Sequence, residues 1–137
     1  MYLVDTNIVS ETRRARPHAG VMAFLREAGE RNLHVSAVTL GELQAGIETT
    51  REQDRAKAAE LEAWTENIAA TWNVLPMDAQ TFRLWAKLMH RRSDTLVQDA
   101  MIAATALIHD LKIVTRNVGH FKDFGVEIIN PFVSRKD

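Results

Sequence analysis

Cysteine is absent from the 137 residues, which excludes disulfides, thiolate zinc sites and a cysteine nucleophile. Proline and glycine are sparse, at 3 and 6 residues, and scattered, so no linker or low-complexity tract divides the chain. A single domain over residues 1–137 is expected, long enough to enclose its own core. No stretch approaches the ~18 uninterrupted apolar residues of a membrane span. No charged-then-apolar leader opens the chain either, which argues against export and makes a cytoplasmic location the expectation. Net charge is only −1, unlike a strongly basic nucleic-acid coat, yet this leaves room for an enzyme that touches a few phosphates. GxGxxG and GxxxxGK are missing, and the five histidines show no HExxH spacing, which argues against nucleotide folds and a zinc site.

What is present is an ordinary globular composition, 46% hydrophobic and 26% charged. Short runs rich in Val, Ile and Leu read as strands at 2–5, 33–37, 112–115 and 126–129, with a weaker fifth at 73–77. Helical patterns lie between them. One runs over 18–30 behind Pro17, a good first-turn residue. Another starts at Thr39 with Leu40, Leu43 and Ile47 on one face. The segment 54–72 aligns Leu61, Trp64, Ile68 and Trp72, and the next helix aligns Phe82, Trp85, Ala86 and Met89. The last helix turns Ile102, Ala103, Ala106 and Leu107 inward. Alternation of strands and helices predicts an α/β fold with a parallel sheet between helical layers, in which ligands bind beyond the strands' carboxyl ends.

Asp5 directly follows the first strand, where a buried, unpaired carboxylate costs several kcal/mol or stays neutral. Glu42 falls in the first turn of the helix after the second strand, and Asp99 near the start of a helix that continues AMIAATALI. Each has a plain structural alternative. Asp5 can cap the turn at Thr6 and Asn7, Glu42 stands at capping-box spacing from Thr39, and Asp99 can complement a helix dipole. Strand ends and helix starts converge at one edge of a parallel sheet, so the three acids can also meet there. Clustered carboxylates need a cation, and oxygen ligands without a Cys/His set suit Mg²⁺ or Mn²⁺. Phosphodiester hydrolysis is the chemistry such an arrangement serves.

The blocks MYLVDTNIVSE, SAVTLGELQAGI, QDAMIAATAL, KIVTRNVGHF and GVEIINPF, in that order across nearly the whole chain, resemble the PIN-domain ribonucleases, specifically the VapC-type toxins of bacterial toxin–antitoxin pairs. The resemblance implies a three-layer α/β/α PIN-like fold with a short central parallel sheet and a metal-dependent endoribonuclease site. It also implies a cognate VapB-like antitoxin partner, an RNA substrate and a homodimer. Residue by residue, it assigns Asp5, Glu42 and Asp99 as the catalytic, metal-holding acids. Thr6, Asn7 and Thr115 match small polar neighbours that orient acids or water. Where the family often carries a further acid this chain has Asn117, with His120 at a nearby position where Asp is also common. Asn adds no charge for a second ion, and Asp123 is a remote substitute.

Arg13, Arg14 and Arg16 lie in the most basic segment, which suits contact with an RNA backbone or an acidic partner, and equally a solvated loop. His90, Arg91 and Arg92 read as complements to a helix C-terminus. Trp85 reads as core, while Trp64 and Trp72 read either as core or as a surface for another chain. Two functional alternatives stand beside the nuclease: a non-catalytic PIN-fold module that serves a DNA-binding antitoxin, and an acid–metal phosphatase. The second lacks its D-x-D pattern, since the chain reads DTN at 5–7.

Overall fold

A computed structural model of the chain describes residues 1–133. Its strands are β1 (Tyr2–Val4), β2 (Leu33–Ser36), β3 (Asn73–Leu75), β4 (Lys112–Val114) and β5 (Ile128–Ile129). They form one parallel sheet in the order β3-β2-β1-β4-β5. Chain order therefore reverses at β1, between its neighbours β2 and β4. That is the switch point at which parallel sheets leave a crevice for ligands. The helices are α1 (Thr6–Glu11), α2 (Ala19–Ala28), α3 (Ala37–Arg51), α4 (Arg55–Thr71), α5 (Ala79–Met89), α6 (Val97–Ile108) and α7 (Val118–Phe121).

The period-2 alternation of strand side chains divides the interior into two layers. Leu3 and Ile113 face α6, through Ile102, Ala103 and Ala106, and the aromatic anchors Phe121 and Phe124. Val4, Val35 and Val114 face the opposite way, onto Ile8 and Val9 of α1, Val21 of α2 and Ile68 of α4. Helices thus cover both faces, which is the three-layer α/β/α arrangement, and the central strands β1, β2 and β4 are the buried ones, as parallel sheets require. All five expected strand segments form, including the weak one at 73–77.

Several local expectations shift. Helix α2 starts at Ala19 with His18 as its cap, its Nδ1 accepting from the Gly20 and Val21 amides at 3.0 and 3.3 Å, so Pro17 precedes the helix rather than filling its first turn. Helix α3 starts at Ala37, capped by Ser36, whose hydroxyl accepts from Val38. Thr39 is therefore no cap, and Glu42 lies in the second turn rather than in a capping box. On α5 the buried stripe is offset by one residue. Thr81 is buried and Phe82 is 45% exposed, because Asp78 accepts from both the amide and the hydroxyl of Thr81 and turns that side inward. Ala86 is likewise exposed, whereas Leu88 and Met89 pack inward. Leu107 is half-buried, its place taken by fully covered Ala104 and Thr105. Arg92 leaves its helix end, donating to the Asp123 carbonyl at 2.8 Å and lying over Phe124. Trp85 packs against the core and donates its indole N–H to the Val97 carbonyl at 3.1 Å. Trp64 and Trp72 are half-buried against the other layer.

Two features fix the start of the chain. Glu11 is buried and accepts from the His18 amide at 2.8 Å and from Arg14 at 3.3 Å. The His18 amide above all holds its carboxyl below the usual range, so a charged group spans the basic loop from inside. Gly20 abuts the C-terminal segment: a Cβ there would stand 2.6 Å from the Pro131 carbonyl oxygen. Because that obstacle is backbone, Gly20→Ala is expected to cost about 1–3 kcal/mol, as overpacking does. Urea unfolding checks it, and an unchanged midpoint would show that the segment yields freely.

Candidate metal centre

Asp5 extends β1 by one backbone bond, its amide donating to the Val114 carbonyl at 2.9 Å, and then caps α1 through the Thr6 amide, which reaches Oδ1 at 2.8 Å. The capping reading and the site reading of this residue are thus compatible. The side chain is 4% exposed. Its Oδ2 accepts from Asn7 Nδ2 at 2.9 Å and from Thr115 Oγ1 at 2.8 Å. Thr115 follows β4 and is fully buried, so the sheet pairing of β1 with β4 is what brings this donor to Asp5. Asn7 is fixed in turn. Its Oδ1 accepts from the Arg116 amide at 3.1 Å, and its Nδ2 lies 3.3 Å from Thr115 Oγ1.

Glu42 and Asp99 approach from α3 and α6. Both are half-buried. Burial pushes the Glu42 carboxyl up to about 7, with the charges of Asp5 and Asp99 adding to it and Thr6 opposing. The Asp99 carboxyl is raised by burial and by Asp5, and the Asp5 carboxyl is raised by burial against its three hydrogen-bond donors. Thr6 bridges inward as well, its hydroxyl donating to the buried Thr39 at 3.1 Å. The structure therefore brings the three sequence-predicted acids within electrostatic reach of one another, the charge of Asp5 acting on Asp99 and both acting on Glu42.

Among the described residues, however, no three acidic, imidazole or thiol side chains stand close enough together to hold one ion. The donor chemistry nonetheless suits a hard divalent cation: oxygen ligands only, crowded and reluctant to ionise together. Oδ1 of Asp5 carries one N–H donor and so has capacity to spare.

Of the other predicted residues, Asn117 is exposed and lends its backbone amide to Thr115 Oγ1 at 3.0 Å. His120 is the neighbour that the acid pattern did not foresee at this place. Its Nδ1 lies 3.2 Å from Asp99 Oδ2, presented by the short α7 that buried Phe121 anchors. Arg14 is engaged by Glu11, Arg13 lies over the Trp64 ring with Cζ 5.8 Å from its centroid, and Arg16 is exposed. Asp123 is exposed and presents only its backbone carbonyl to Arg92.

This geometry has relatives. The PIN domain model matches residues 2–126. The VapC ribonuclease Y4jK of Sinorhizobium fredii is 32% identical over 137 residues, covering 96% of this chain and 98% of its own. The plasmid stability protein StbB of Pseudomonas syringae pv. tomato is 33% identical, covering 96% and 99%. The crystal structure of FitAcB from Neisseria gonorrhoeae superposes with a TM-score of 0.82 at 30% identity, covering 96% and 99%. The chain belongs to the PIN-domain family and is closely related to the VapC- and FitB-type toxins of toxin–antitoxin systems. Among the described residues no helix is long and apolar enough to cross a membrane.

Proposed function

We propose that this chain is a metal-dependent endoribonuclease toxin of the VapBC type, in which Asp5, Glu42 and Asp99 hold Mg²⁺ or Mn²⁺. The observation that supports the reading is that three carboxylates from distant parts of the chain come within electrostatic reach: Asp5, at the end of the switch-point strand, raises the Asp99 carboxyl, and both raise that of Glu42. A bound divalent ion supplies Lewis acidity there, acidifying a water and offsetting negative charge on the phosphate. The chain's own part is to fix the acids. Asn7 and Thr115 hold one oxygen of Asp5, the Thr6 amide orients the other, and His120 lies against Asp99. Arg13 and Arg16, both exposed in the basic segment after α1, suit contact with an approaching RNA strand. Unpaired RNA is the natural substrate, since its bases and backbone are accessible. A VapB-like antitoxin, a homodimer and a single PIN domain over 1–137 complete the proposal on the strength of the family.

The test is incubation of antitoxin-free protein with RNA. Cleavage should need Mg²⁺ or Mn²⁺, stop with a chelator and resume when the ion is restored. A second reading, the non-catalytic partner module, draws on Asn117 at the position of a family acid and on the acids' failure to close into a three-ligand set. Protein that titrates no Mn²⁺ in a calorimeter yet binds its antitoxin would favour that module. The holders are testable too. Thr115→Val keeps the shape but removes one donor to Asp5, and Mn²⁺ affinity is expected to fall roughly 10- to 100-fold, as for other groups that orient a metal ligand. Equal affinities in calorimetry would show that Asp5 needs no such support.

A further inference from the structure

We propose that the small pocket between α1, α3 and α4 seats one unstacked nucleobase of a single-stranded RNA, which stacks on the Arg13 guanidinium held over the Trp64 ring. The inference rests on the nuclease reading and names how that site grips its substrate. The pocket has a volume of about 230 Å³ and includes Glu42 in its lining, so it opens directly onto the acid cluster. A strand whose phosphate lies at the acids therefore has its neighbouring base at this mouth. Arg13 lies over the Trp64 ring, its Cζ 5.8 Å from the centroid, so the pair presents a planar cation backed by an aromatic ring, a surface on which splayed RNA bases stack.

Gly46 supports the same conclusion. It sits inside the 15-residue α3, where glycine weakens a helix by roughly 0.5–1 kcal/mol relative to alanine. No crowding explains it, because a Cβ built there meets nothing within 4 Å. Gly46 lines the pocket, and the missing side chain leaves that space open. Two of the three hydroxyl residues in the wall are already committed, which leaves Ser10. Thr50 donates to the Gly46 carbonyl at 3.0 Å and Thr65 to the Leu61 carbonyl at 2.8 Å. The seat therefore selects by stacking and shape more than by reading base edges, so its preference among the four bases is modest. A larger groove of about 570 Å³, lined by Met22, Leu25, Leu33 and Trp72, lies elsewhere and does not include an acid of the site.

The experiment uses the full chain, free of antitoxin and kept in chelator, with short single-stranded RNA oligonucleotides. Trp64 emission is read as the difference between the natural protein and Trp64→Phe, since Trp72 and Trp85 remain in both. RNA should quench this difference signal. Gly46→Leu, which adds bulk to the pocket lining at a position where a Cβ meets nothing within 4 Å, and Arg13→Ala should each weaken RNA binding by roughly 10-fold or more, in line with loss of a stacked base. Calorimetry with Mn²⁺ on Gly46→Leu should match the natural protein, showing that the acids are undisturbed. An unquenched Trp64, or RNA binding by Gly46→Leu equal to that of the natural protein, overturns the seat. Quenching by the purified antitoxin but not by RNA assigns the pocket to a protein side chain and overturns it equally. If RNA quenches Trp64 but Mn²⁺ brings no cleavage, the seat stands and the nuclease reading falls.

Discussion

Asp5→Asn is expected to reduce RNA cleavage by roughly 10²–10³-fold or more, the scale seen when one preorganised electrostatic group is lost from a site. The substitution removes the charge from the most enclosed of the three acids and keeps its shape. One hydrogen bond turns against it. Asn7 already spends its Oδ1 on the Arg116 amide, so its Nδ2 donor would face the new amide's N–H₂, or, with the amide flipped, that N–H₂ would face the Thr6 amide instead. Against this, a neutral side chain at a position 4% exposed no longer bears the cost of a buried charge. The two effects oppose, so stability should move by no more than about 1–2 kcal/mol. The measurement pairs cleavage rates with thermal unfolding and a Mn²⁺ titration. A folded Asp5→Asn protein that cleaves like the natural one would remove Asp5 from the chemistry.

The second large effect is in pH. Glu42 has its carboxyl at about 7, so near neutrality it is only half ionised, and Asp5 and Asp99 are raised in the same direction. An ion must displace that proton. Mn²⁺ affinity is therefore expected to fall about tenfold per pH unit below 7 and to level off above it. Folding without metal should show the opposite trend. For an acid whose folded pKa is raised, the stabilising contribution is complete below the unfolded value and fades as pH rises through the folded one. The metal-free protein should thus melt lower at pH 8 than at pH 5, through the window from about 4.5 to about 7 set by Glu42. Added Mn²⁺ should raise the melting temperature far more at pH 8 than at pH 5.5. A metal-free melting temperature that climbs steadily across this window would contradict the crowding of the acids.

Much of this was legible in the residues, and the parts that were not have physical causes. Hydrophobic runs of three or four residues identified every strand, because a parallel sheet buries both faces and writes itself as Val, Ile and Leu. The three acids stood out because Asp5 ended such a run while Glu42 and Asp99 stood near the starts of otherwise apolar-patterned helices. Helix α1 was harder to see: TNIVSE is rich in polar and β-branched residues, and it holds as a helix through the Asp5 cap and the burial of Ile8 and Val9. Helix α3 was read as starting late because SAVT offers two hydroxyl residues as caps, and only the backbone shows that Ser36 is the one used. Both Thr81 and Phe82 fit a helical stripe on α5, and the choice fell to the hydrogen bonds Asp78 makes, which spacing cannot show. His120 was noticed as a departure from the family pattern, but its approach to Asp99 depends on α7, four residues long and below the reach of periodicity.

Thr115 and Asp5 are 110 residues apart, yet one hydrogen bond joins them at the centre of the sheet. A chain still being synthesised therefore holds its first acid without its principal clamp until nearly the whole length exists. Contacts so remote in sequence also form late, because the entropy of closing the loop is spent before they return anything. Under the toxin function proposed above, that delay is a safeguard: a copy not yet synthesised as far as Thr115 has its first acid only partly held.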